Sequence, residues 1–175
     1  GALKSDMVAS FYVPATDECP DIANIVRLSK ETCGIMAYAY LGDVTDSVTG
    51  DKKAQKFEDE YLPLLFQTLY ELGFNSVTYM PSRNTIEQVK RVKELCDRYG
   101  FFQISGEDIN SPRQSFVCDA QKNEEFKNLV DAAWALIGHE KTATIDLKNA
   151  FFSAETIAEY PDLYQRIEVY KNMNQ

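Results

Sequence analysis

Two periods of hydrophobic positions alternate along this chain. In "DIANIVRLSKETCG", Ile22, Ile25, Val26 and Leu28 fall on one side at helical spacing, and Gly34 follows where such a helix would end. "GIMAYAYLG" (34–42) is a short apolar and aromatic run bounded by glycines, which predicts a buried strand. An Asp-rich loop, "DVTDSVTGDKK", comes next. "QKFEDEYLPLLFQTLYELGF" then places Leu62, Leu65, Phe66 and Leu69 at i, i+3, i+4 and i+7. Pro63 is expected to kink that helix or to begin a new segment, and Gly73 to cap it. "NSVTYM" (75–80) reads as the second strand. Asn84 and Glu87 have capping-box spacing, and Ile86, Val89, Val92, Cys96 and Tyr99 form the stripe of the helix they would start. Gly100 ends it, and "FFQIS" (101–105) is the third strand. Phe126, Leu129, Val130, Ala133 and Trp134 mark a further helix, and "YPDLYQRIEVYKNM" a last one.

Strand–helix alternation with short connections predicts an α/β fold of parallel βα units. The expected organisation is a single domain over 1–175, with a βα core at 22–115 and a C-terminal helical extension at 116–175. Three units are too few to close a barrel. An inner sheet face built from Ile35, Ala37, Val77 and Ile104, or their alternates, would then lack half of its cover. Self-association, or docking to a missing N-terminal half, follows as one expectation. The other is that the segment before Pro20 and the helices after residue 121 fold over the open side and give a compact open-sheet monomer.

Composition narrows the function classes. With 45% hydrophobic residues the chain has the makings of a core. A net charge of −9 speaks against a nucleic-acid grip or a polybasic membrane contact, since polyanions need a cationic face. Cys19, Cys33, Cys96 and Cys118 have no CxxC or CxxH spacing, so no zinc or redox motif is visible, and Cys33 and Cys96 read as small buried hydrophobes. A chain of this size and core content has no need of a disulfide framework, which points to a reduced, cytoplasmic setting. No apolar run approaches the roughly 18 residues of a membrane span. His139, alone in "LIGHEK", would suit a helix C-terminus as a cation and has no triad around it.

In parallel α/β folds the C-terminal strand ends carry the sites. Three are readable here: "AYLGD", "MPSRN" and "SGEDIN". Asp43, Asp108 and Asn110 supply hard oxygen ligands suited to Mg²⁺, Mn²⁺ or Ca²⁺. Arg83 and Arg113 offer planar forks for a phosphate or carboxylate. Each residue also has a plain structural reading: Asp108 as a turn cap, Asn84 as a helix cap, Arg113 as a partner of Glu107, and Tyr38 and Tyr40 as core residues.

Taken in order, "CGIMAYAYLG", "LGFNSVTYMPSRNTIEQVKRVKELCDRYG" and "FFQISGEDIN" resemble the C-terminal half of the PHP (polymerase and histidinol phosphatase) domain, over about residues 22–115. The resemblance implies part of a seven-stranded βα barrel. It also implies divalent metals (Mg, Mn or Zn) at the strand ends, which activate water against a small phosphate ester. The departures fall on the family's metal ligands. Tyr40 stands where an Ala-His-Pro histidine would be, and Asn84 stands for the helix-start histidine. In Gly-Ser-Asp-x-His, Asp108 is kept, while Asn110 replaces the histidine and Glu107 the serine. The family's His-x-His motif is absent. An amide carbonyl is a far weaker donor than imidazole, and Tyr ligates only as phenolate, so metal binding should be weak or absent. Two functions follow as expectations. One is a phosphoesterase fragment whose other ligands lie upstream. The other is a non-catalytic module that binds a small ligand or another protein with the same loops.

Overall fold

The computed structural model describes residues 10, 16, 18–44, 56–109 and 112–173. Three short strands, β1 (Ala37–Ala39), β2 (Ser76–Tyr79) and β3 (Phe102–Ser105), form one open parallel sheet in the order β1-β2-β3. Before β1 lies α1 (Ile22–Glu31). The connections between strands carry α2 (Leu62–Leu72) and α3 (Ile86–Tyr99). After β3 come two 3₁₀ turns (Asp119–Lys122 and Glu124–Phe126), then α4 (Lys127–Ile145), a third 3₁₀ turn (Leu147–Asn149), α5 (Ala154–Glu159) and α6 (Leu163–Asn172). The α/β class and the parallel strands are as expected; α5 is an element the sequence reading lacked.

Register assigns the faces. Tyr38 pairs with Val77 and Val77 with Gln103, so these three share a face, and Tyr79 follows two residues on. Leu62, Phe66 and Leu69 from α2 and Val89, Val92 and Cys96 from α3 pack there in one buried cluster. Ala37, Ser76 and Phe102 share the opposite face with Ile104. Val77 therefore does not join Ala37 and Ile104 on one inner face, because successive strand residues point to opposite sides. That second face is not left open at β3. Phe102 packs with Ala132 and Ala135 of α4, Phe151 and Tyr170 of α6. Phe151 is the hub, with ring centroids 4.8 Å from Phe102, 4.9 Å from Phe152 and 5.1 Å from Tyr170. The C-terminal helices thus cover this face at β3, while the segment before Pro20 lies almost wholly outside the described residues.

Local chemistry moved three boundaries. α2 starts at Leu62 with Pro63 in its first turn, where the missing N–H costs nothing, so the preceding residues belong to a loop. α3 is capped by Thr85 rather than Asn84. The Thr85 hydroxyl accepts from Gln88 N at 3.2 Å and Gln88 Oε1 accepts from Thr85 N at 2.9 Å, a capping box one residue later than expected. At the end of α1 the left-handed residue is Cys33 (φ +54°), not Gly34, whose N–H instead closes onto Ser29 O at 2.8 Å. A left-handed conformation costs a non-glycine residue about 1–2 kcal/mol. Cys33→Gly should therefore raise stability by about 0.5–1 kcal/mol after the added unfolded-state entropy, read as a higher urea midpoint at constant slope; an unchanged or lower midpoint contradicts the assignment.

His139 is not a helix-terminal cation. It is buried within α4, its Nδ1 accepts from Phe151 N at 3.0 Å, and burial holds its pKa below the ordinary value. Among the described residues no helix is long and apolar enough to cross a membrane.

Candidate functional site

The backbone leaving β1 at Tyr40 runs through Leu41, Gly42 and Asp43, and the chain returning to α2 passes Phe57, Glu58 and Asp59. The two limbs are laced together by backbone-to-carboxylate bonds. Leu41 N donates to Glu58 Oε1 at 2.8 Å, Asp43 N to Asp59 Oδ2 at 3.0 Å, and Phe57 N to Asp43 Oδ1 at 2.6 Å. Charge-assisted bonds of this kind are roughly twice as strong as neutral ones.

Asp59 is the centre of the lacing. Its Oδ1 accepts from the Tyr40 hydroxyl at 2.5 Å, and its Oδ2 also accepts from Gln88 Nε2 at 2.7 Å. Its carbonyl accepts from Arg91 Nη2 at 2.7 Å. Burial by itself would raise the Asp59 carboxyl. The bonds from Tyr40, Gln88 and Asp43, helped by the Arg91 charge, outweigh it and hold the group below the ordinary carboxylate value. Tyr40 moves the other way: burial first, then its bond to Asp59, keep the phenol protonated well above its usual range. Burial, with Glu58 nearby, likewise pushes Tyr38 up to about 12.

The loop after β2 closes the site from the other side. Asn84 is buried; its Oδ1 accepts from Met80 N at 2.8 Å and its Nδ2 donates to Leu41 O at 2.8 Å. Gln88, besides serving the capping box, donates to Asp43 O at 2.9 Å. Arg83 Nε donates to Leu41 O at 3.1 Å, and its guanidinium carbon stands 5.6 Å from the centre of the Phe57 ring. Arg83 Nη2 is buried and makes no hydrogen bond to a described residue. Gly42 lies at the middle, with a left-handed φ of +71°. The polar ends of Asn84, Gln88 and Tyr40 approach within 2.8–2.9 Å of where a β-carbon would sit.

Tyr40, Asp43, Arg83 and Asn84 are therefore brought together around Gly42. The loop after β3 joins through Glu107, whose two carboxylate oxygens accept from Ser82 N at 2.7 Å and Ser82 Oγ at 2.6 Å. Asp108 is exposed, and its carbonyl accepts from Gln114 Nε2 at 2.9 Å. Arg113 is exposed, and Asn110 lies outside the described residues. Among the described residues no three His, Cys, Asp or Glu side chains gather as metal ligands. Glu58, Asp59, Gln88 and Arg91 were not singled out from the sequence. The signals were there: Pro63 places Glu58 and Asp59 in the loop before α2, and Thr85-x-x-Gln88 is the capping-box pattern.

No protein-family model, no curated protein and no solved structure matches the chain.

Proposed function

We propose that this chain is a non-catalytic binding module, built from βα units like those of the PHP domain, that receives a small oxyanion such as phosphate at the C-terminal end of its sheet. The observation that carries this reading is the commitment of the strand-end oxygens to the protein's own N–H and O–H groups. Asp59 uses both oxygens on Tyr40, Gln88 and Asp43, and Asp43 uses one on Phe57. Asn84 spends its carbonyl on Met80. Metal-activated hydroxide needs donors turned toward a metal, and a protonated phenol is not one. The donor set fits a loop clamp better than a metal centre, which favours binding over hydrolysis.

Arg83 supplies the ligand-directed group. Its Nε bond and the Phe57 ring fix the guanidinium plane, and Nη2 is the donor left over. A guanidinium keeps its charge when enclosed and matches a phosphate or carboxylate with parallel N–H groups. Arg113, on the loop that leaves β3, is the second cation of the proposal. Asp43, Glu58 and Asp59 share the neck with Arg83, so an anion is drawn by the fork and not by a long-range field. The expected dissociation constant is on the order of 1 mM.

Titration with inorganic phosphate, followed at the Arg83 Nε–H and at the backbone N–H groups of Gly42 and Asn84 beside it, tests this reading. Wild-type protein should give saturable shifts at all three, and the two backbone shifts should be lost in an Arg83→Met variant with a native unfolding midpoint. Absence of any shift at Arg83, or turnover of a generic phosphate ester that appears on adding Mn²⁺ or Zn²⁺, would contradict the proposal.

A further inference from the structure

We draw no further inference here: the strongest candidate, the exposed apolar row of Val130, Trp134 and Ile137 on α4, carries nothing because nothing in the structure shows what covers it.

Discussion

Gly42→Ala should cost about 3–4 kcal/mol of folding stability, a large share of the roughly 5–15 kcal/mol by which a domain is usually stable. Two terms add. A side chain at φ +71° meets the left-handed penalty of about 1–2 kcal/mol. The new β-carbon would also stand 2.8 Å from Asn84 Nδ2, 2.8 Å from Gln88 Nε2 and 2.9 Å from the Tyr40 hydroxyl. Those are side-chain ends, and in a loose setting they would swing away. Here each is tied: Asn84 Nδ2 to Leu41 O, Gln88 Nε2 to Asp43 O and Asp59, Tyr40 to Asp59. Making room means breaking bonds to the half-buried Asp59 carboxylate or to the Leu41 and Asp43 carbonyls, at about 1–3 kcal/mol for each group left unsatisfied. Gly100 provides the control. It also has a left-handed φ, +69°, but nothing lies within 4 Å of its β-carbon position. Gly100→Ala should lose only the conformational term. Urea unfolding of both variants separates the two contributions; equal losses would mean that the polar clamp yields freely.

The second large effect lies at the crossing of α4 and α6. A β-carbon on Gly138 would stand 2.2 Å from Tyr170 O and 2.9 Å from Tyr170 C, both main-chain atoms that no rotamer change can move. Alanine would gain about 1 kcal/mol of helix propensity at this position. That gain is outweighed, because the two helices must separate, and the Phe102–Phe151–Tyr170 cluster between them loses its packing. A net loss of about 2 kcal/mol, the upper overpacking cost less the propensity gain, is expected for Gly138→Ala by urea unfolding, with a still larger loss for Gly138→Val. A Gly138→Ala variant as stable as wild type would show that α4 and α6 do not approach as closely as described.

How much of this was legible beforehand depends on the range of the interaction. The strands are short apolar runs between turn residues, and α3 carries its stripe in consecutive turns, so local pattern was enough for both. The cap of α3 was displaced by one residue because Asn84 and Thr85 are both good caps. A bond across the sheet end, from Asn84 to Leu41, decided between them. Val77 could not be assigned to a face from an apolar run alone, since a strand buried on both sides shows no alternation. α5 is six residues long and carries little apolar periodicity to read. The site was half visible. Arg83 and Asp43 were chosen for their chemistry at strand ends, whereas Asp59 gains its importance from Tyr40 and Gln88, distant in sequence. Its role depends on loop closure, which no spacing encodes.

The claim on which the functional reading rests is that Asp59 is bound into the loop neck, and its titration tests that most directly. In the folded protein the Asp59 carboxyl should titrate below the ordinary Asp value of about 3.9. Because the folded value is the lower one, the stability it contributes is complete above the unfolded value and is lost as pH falls through the folded value. Carbon-detected NMR of the Asp59 carboxyl should show this depressed midpoint. In Tyr40→Phe, which removes one of the bonds to the carboxylate, the midpoint should move back upward. An Asp59 that titrates at or above the ordinary value in the wild-type protein, and that does not respond to Tyr40→Phe, would mean that the carboxylate is not held by the neck.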